Sequence, residues 1–294
     1  MAPRGESFGL PMLGVGIGYR PVFQATLFEH REEIDFLEII ADHYFDSSST
    51  KRAELELLKN NFPLVPHGLA LSLGSAEGIA PSYLRSFAKV VERVQPAWCS
   101  DHIAFTRAGG VDIGHLTAIP KTRASLQVLK KNIQRVRDAV DVPLILENIT
   151  ESLRYPGDEF SDAEFLGEIC EQNDIGLLLD VTNLYMNSLN HGYCALGVLE
   201  RLPADRIVQL HFSGGHLEDG IWVDSHSRET PSEIWDLLGE VLSRASVRGV
   251  VLERDENIPP LRSLIPELQA VRRLLSIAEP PPVPVDPTDA GGQS

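Results

Sequence analysis

The 294-residue chain is poor in cysteine, with three in all: Cys99, Cys170 and Cys194. An odd number without Cys-x-x-Cys spacing excludes a disulfide framework and a thiolate zinc site, and it fits a reducing compartment. Long apolar runs are missing too. No stretch of about 18 apolar residues occurs, so no membrane partner is expected. The opening Met-Ala-Pro-Arg lacks the apolar core of a signal peptide, so the chain reads as cytoplasmic. Basic residues are the minority, 26 against 42 acidic, and the formal net charge is −16. Such a surface repels phosphate backbones and disfavours a nucleic-acid partner. The first apolar run is not followed by a Gly-x-Gly-x-x-Gly turn, which counts against an open dinucleotide-binding sheet.

What is present is a regular alternation. Apolar runs at 12–18, 34–41, 62–67, 97–102, 143–148, 175–181, 206–212 and 248–254 read as strands. Helix-like stretches at 80–94, 121–140, 161–172 and 230–244 lie between them, the last opening on Thr-Pro-Ser-Glu, a good helix start. Continuous apolar strands alternating with helices predict buried parallel strands, and eight such pairs fit an α/β fold of the (β/α)8 TIM-barrel type. An open doubly wound sheet is the alternative. The barrel is expected over 10–278, after a flexible start at 1–9 and before a disordered Pro- and Gly-rich tail at 279–294. Connections at 103–119 and 213–229 are long enough to be either functional or disordered.

In such a barrel the side chains at strand C-terminal ends converge on one mouth. Those ends carry His67, Asp101 with His102, Glu147 with Asn148, Asp180, His211 and Glu253. Following segments add Asn183, His216, Asp224 and His226; the second strand adds Glu38, with Asp42 and His43 beyond it. The first strand offers nothing comparable. Any one histidine alone is more simply a half-buried structural residue, as His30 and His191 illustrate. Glu147, Asp180 and Glu253 are harder to dismiss. Each ends an apolar strand, where an unpaired carboxylate costs several kcal/mol. A shared metal cation is the simplest remedy. Imidazole and carboxylate without thiolate suit iron, manganese or zinc. The donors outnumber the needs of one ion, which points to two or three, with a carboxylate such as Glu147 bridging.

The segments VPHGLALSLGS (65–75), WCSDHIAF (98–105), LILENIT (144–150), LLLDVTNLYMNSLNHG (177–192), IVQLHFSGGH (207–216), WVDSH (222–226) and VLERDENIP (251–259) together resemble the multinuclear non-heme iron-dependent oxidative enzymes. That family includes the methanobactin biosynthesis oxidase and relatives that modify cysteine in ribosomally made peptides. The resemblance spans about residues 10–277 and implies a xylose-isomerase-like barrel holding two to three iron ions (Fe2+/Fe3+), with O2 as co-substrate. By position it implies His67, His102 and Glu147 around one iron. Glu147 would bridge to a second iron held by Asp180, His211 and Glu253. Asn183, Asp224 and His226 would form a third, more labile site, and Asp255 would be a catalytic acid or base. The implied substrate is a precursor peptide, presented by a separate leader-binding partner protein because no added leader-binding domain is evident after the last helix. The competing readings are a metal-dependent sugar isomerase or epimerase, an endonuclease IV-like phosphodiesterase, and a binding module that keeps the metal site without catalysis.

Overall fold

Short β-branched and leucine-rich runs, too apolar for either face to meet water, build the strands of the computed structural model, which describes residues 9–278. Apart from Gly9, the expected flexible start at 1–9 and the expected tail at 279–294 lie outside the described residues. In chain order the elements are β1 (Gly14–Gly18), β2 (Phe36–Ile40), α1 (Ser49–Lys59), β3 (Leu64–His67), α2 (Pro81–Val94), β4 (Cys99–His102), β5 (Phe105–Ala108) and β6 (Val111–Thr117). Next come α3 (Arg123–Arg137), β7 (Leu144–Glu147), α4 (Asp162–Asn173), β8 (Gly176–Asp180), α5 (Val181–His191), α6 (Ala195–Leu199) and β9 (Ile207–Phe212). The chain continues with β10 (Gly214–Glu218), β11 (Ile221–Arg228), α7 (Ser232–Arg244), β12 (Gly249–Leu252) and α8 (Leu261–Ala278). Eight of the strands close a parallel barrel in the order β1-β12-β9-β8-β7-β4-β3-β2. Each lies within two residues of its expected bounds. The first crossover differs from a strand–helix pair: 3-10 turns at Pro21–Phe23 and Leu27–Glu33 replace a helix, and His30 sits at a kink in the second.

The bore of the barrel is layered. Phe36, Val65, Trp98, Ile145, Leu178, Val208 and Val251 form one buried apolar cluster inside it. Side chains two residues apart on a strand share a face. Two residues beyond members of that cluster stand Glu38, His67, Ser100, Glu147, Asp180 and Glu253, all buried. The inward face therefore changes from apolar to charged in one step, at the C-terminal end of the strands. A register shift in β9, opposite Leu177 and Leu178, lets Val208 join the lower layer while Gln209 and His211 face the upper one.

The first strand, Gly-Val-Gly-Ile-Gly, contributes backbone where the others contribute side chains. A Cβ on Gly16 would lie 2.7 Å from the Phe36 ring, and one on Gly18 would lie 3.1 Å from an Arg20 guanidinium nitrogen. β1 itself brings no donor to the mouth; Gly18 leaves room for Arg20, which lies just beyond the strand and is 9% exposed.

The connections at 103–119 and 213–229 are neither disordered nor structureless. Each holds an antiparallel hairpin, β5–β6 and β10–β11. Their two-residue turns, Gly109-Gly110 (φ 60° and 74°) and Asp219-Gly220 (φ 47° and 84°), occupy the left-handed region at both positions. This is the primed turn whose twist suits a tight hairpin.

Because Gly16 faces an aromatic ring and a carbonyl, Gly16→Ala should lower stability by about 1–3 kcal/mol through overpacking. A urea unfolding midpoint equal to that of the wild type would show that the lower layer has slack.

Candidate metal centre

His67 closes β3 and is held from behind by Ser100, whose Oγ is 2.8 Å from Nδ1. Its Nε2 then lies 3.2 Å from His102 Nε2 and 3.4 Å from Glu147 Oε2, and the latter two are 3.3 Å apart. Two donors bound to one ion at about 2.1 Å each are roughly 3.0–3.5 Å apart, so this triangle has the dimensions of a metal site. The other Glu147 oxygen is 3.1 Å from His211 Nδ1, and that nitrogen is 3.0 Å from Glu253 Oε2. Glu253 Oε2 lies 3.5 Å from His226 Nε2, which is 2.7 Å from Asp224 Oδ2. Three groups emerge whose donor atoms all fall within 4.8 Å of one another: His67, His102, Glu147; then Glu147, Asp180, His211, Glu253; then Asp180, Asp224, His226. Glu147 belongs to the first two and Asp180 to the last two.

Asp180 is where strand becomes helix without a loop. Its Oδ1 caps α5 by accepting from Asn183 N at 2.6 Å. Its main chain is clamped by Asn148, which donates to Asp180 O at 3.0 Å and accepts from Asp180 N at 2.9 Å. Asp180 Oδ2 and Glu147 Oε2 are buried and have no hydrogen-bond partner among the described residues. Orphaned buried acceptors of this kind are costly unless a cation serves them.

The electrostatics agree. Burial pushes the Glu147 carboxyl up to about 7. Burial, then Asp224 and Glu147, hold Asp180 well above the usual carboxylate range. Burial pulls His67 well below the usual imidazole value and takes His102 down to about 4. His211 and His226 go the other way: burial opposes their charge, but Glu253, Glu38 and Glu147 around the one, and Asp224 and Glu253 around the other, outweigh it. Burial likewise opposes the charge on Glu253, yet His211 and His226 carry its carboxyl well below the usual range. The ring of groups is short of positive charge. Nitrogen and carboxylate donors fit borderline divalent metals such as iron, manganese or zinc. None of Cys99, Cys170 and Cys194 belongs to these groups.

The remaining expected residues are placed as follows. Asn183 lines the mouth, but its side chain donates to Asn148 O at 3.0 Å and accepts from the Thr150 hydroxyl. Asp255 accepts from Arg20 Nε at 2.7 Å through Oδ1, and its Oδ2 is 2.7 Å from His226 Nδ1. With both oxygens engaged it orients His226 and leaves Nε2 for the centre. Burial opposes its charge, but the His226 hydrogen bond and the charges of His226 and Arg20 together outweigh that and hold the carboxyl below its usual range. His226 itself has φ 49°, a strained conformation for a non-glycine residue, tied down by Asp255 N donating to its carbonyl at 3.1 Å. Asp101 holds the loop after β3 through Leu71 N at 3.2 Å, Asp42 accepts from Tyr83 and Leu69, and His216 meets Ser225 Oγ at 2.8 Å. His43 belongs to none of the groups. Arg20, Ser100 and Gln209 are polar residues of the site that strand-end reasoning passed over.

Above the groups opens a cavity of about 590 Å³, walled by His115 and Leu116 of β6 and by Ile221–His226 of β11. Its lip is apolar, with Leu69, Leu116, Ile149, Ile221, Trp222 and Val223.

Glu147→Gln should lose more bound metal than Asp224→Asn, because one change weakens two groups at once; equal metal content in Glu147→Gln and wild type, by elemental analysis, would remove Glu147 from the ligands. Protonation competes with metal here. Burial raises the Glu147 carboxyl to about 7 and Asp180 well above the usual range, so binding a divalent cation near neutral pH should expel protons and tighten as pH rises. Calorimetry in buffers of different ionisation enthalpy reads that release, and heats independent of the buffer would contradict it.

Residues 14–276 match the family model described as RiPP precursor modification enzyme MbnB/TglH/ChrH, where RiPP denotes a ribosomally made, later modified peptide. A UPF0276 protein of Streptomyces avermitilis is 37% identical over 276 residues, covering 92% of this chain but 56% of that protein. This chain thus spans little more than half of that relative. A UPF0276 protein of Caulobacter vibrioides is 32% identical over 263 residues, covering 89% and 94% of the two chains. Among solved structures, endonuclease IV from Thermus thermophilus has a TM-score of 0.55 at 16% identity, covering 90% of this chain and 98% of its own. A xylose isomerase domain protein from Planctomyces limnophilus has 0.54 at 14%, covering 91% and 99%. At those identities the likeness is one of fold, and the fold is the xylose-isomerase-like TIM barrel. The chain belongs to the MbnB/TglH/ChrH family of RiPP precursor modification enzymes.

Proposed function

We propose that this enzyme is an oxygen-dependent, multinuclear iron oxidase that modifies a residue, cysteine in the first instance, of its precursor peptide. The observation that carries the reading is the run of three donor groups sharing Glu147 and Asp180 beneath one open cavity. His67, His102 and Glu147 would hold one iron; Glu147, Asp180, His211 and Glu253 a second; Asp180, Asp224 and His226, with Asn183 beside them, a third. Bound iron would supply the one-electron and oxygen chemistry that no side chain of the twenty provides.

The chain's own residues do the rest. Asp255 and Arg20 hold His226, and Ser100 holds His67, so the donors are fixed before a substrate arrives. The apolar lip of Leu69, Leu116, Ile149 and Trp222 shields the mouth from water and gives a peptide side chain something to pack on. The cavity is wide enough for a side chain with its flanking backbone, and its strand walls suit an extended peptide. A leader-binding partner protein would raise the local concentration of the reacting segment, which relieves the mouth of sequence-specific grip. The −16 charge argues against the phosphodiesterase reading, whose substrate would want a basic groove.

Turnover should need ferrous iron, air, the peptide and its partner, and free cysteine should be a poor substitute because it lacks the tether. Mass spectrometry of the peptide reads this. A change that appears in air and is absent from His102→Ala supports the oxidase; the same change under strict anaerobiosis without another oxidant overturns it.

A further inference from the structure

His211 is fully buried and touches polar groups on both sides of its ring. Nδ1 faces Glu147 and Glu253, while Nε2 is 2.9 Å from Glu38 Oε1. Behind Glu38 runs a second contact: Gln209 Nε2 donates to Glu38 Oε2 at 2.6 Å. Behind that, Trp98 Nε1 donates to Gln209 Oε1 at 2.7 Å. Trp98, Gln209, Glu38 and His211 are all buried, so no member can trade its partner for bulk water.

The direction of the first two bonds follows from the indole. An indole N–H only donates, so Gln209 must turn its oxygen to Trp98 and its NH2 to Glu38. A carboxylate only accepts, so Glu38 takes the amide proton on one oxygen and an imidazole proton on the other. The ring nitrogen that faces Glu38 is Nε2, which also lies 3.0 Å from Gln209 Nε2; a bare lone pair there would confront a carboxylate oxygen at 2.9 Å, so the proton sits on Nε2. Its proton is thereby tied, and the lone pair left for a cation is on Nδ1.

We propose that Trp98, Gln209 and Glu38 form a one-way hydrogen-bond chain that fixes His211 as the Nε2–H tautomer and presents Nδ1 to the metal held with Glu147, Asp180 and Glu253. The inference rests on the reading of that group as a metal site. Glu38 is a positioning residue: it acts on the metal only through His211. The other two held histidines are arranged the opposite way round. His67 is supported at Nδ1 by a serine hydroxyl, which can donate or accept, and His226 at Nδ1 by Asp255; both turn Nε2 inward. His211 is the one of the three that approaches the centre with the nitrogen nearer its own backbone, and Glu38 is what imposes that choice.

The test uses the whole chain loaded with zinc, which is diamagnetic, and labelled with 15N-histidine. Long-range proton–nitrogen correlation spectra should show His211 with a protonated Nε2 and a zinc-shifted Nδ1. Zinc on Nε2, or a proton on Nδ1, overturns the assignment while leaving the metal site standing. His211 unaffected by zinc at either nitrogen overturns the assignment together with the metal reading. In Glu38→Gln a single amide oxygen must serve two donors, so zinc affinity at this group should fall about 10- to 100-fold, with the His67 and His102 signals retaining zinc. Trp98→Phe covers the case of poor folding: with the first donor gone Gln209 can turn over, and His211 should show both tautomers. Either variant keeping the wild-type His211 pattern would mean that the chain does not set the tautomer.

Discussion

Charge compensation in the bore is the constraint on which this structure depends. Buried carboxylates at the ends of neighbouring strands repel one another and forgo water, and the apolar layer beneath them offers no relief. Hydrogen bonds from Gln209 to Glu38 and from Asn183 N to Asp180 relieve part of this; three further ways out are taking up protons, pairing with imidazolium, or sharing cations. The described residues show the first two in use, in the raised carboxyl of Glu147 and the raised imidazoles of His211 and His226. The third is the one that satisfies the orphaned oxygens of Glu147 and Asp180 at the same time. A cation bound there would therefore couple to folding at the mouth, although the apolar shell of the barrel is large enough to stand without an ion.

How much of this was legible in the sequence follows from which residues obey simple periodicity. The eight barrel strands are, because each is a short apolar run whose ends are marked by polar residues. The donors His67, Glu147, Asp180 and Glu253 are legible for the same reason: each lies two positions beyond a residue of the apolar layer. Glu38, which the sequence does place at the mouth, and Ser100 obey the identical rule after Phe36 and Trp98; the signal for Ser100 was simply outweighed by the more familiar metal donors. Gln209 is hidden by a register shift that alters the parity of β9.

Other features were illegible for physical reasons. The hairpins required reading Ala-Gly-Gly-Val and Glu-Asp-Gly-Ile as two-residue turns, whereas their strands are half-buried to exposed and carry little apolar alternation. Arg20 follows a strand whose sequence alternates with glycine, so nothing on that strand announces a site. The support that Asp255 gives His226 depends on a left-handed residue inside a strand, which no propensity anticipates. Asn183 shows the converse, a residue of donor chemistry at the right position whose amide is engaged by Asn148 and Thr150.

One strand carries two duties. Along β11, Ile221 to Val223 form a wall of the substrate cavity, while Asp224 and His226 complete the third donor group. The rest of the donors stand on or directly beside barrel strands, whereas β11 pairs with β10 alone, outside the barrel. A peptide that leans on its wall therefore also acts on two donors. Free-energy coupling of this kind is reciprocal: whatever an ion there does to the grip on the peptide, the peptide does to the grip on the ion. On the proposed function, occupancy of the third group would report whether substrate is in place.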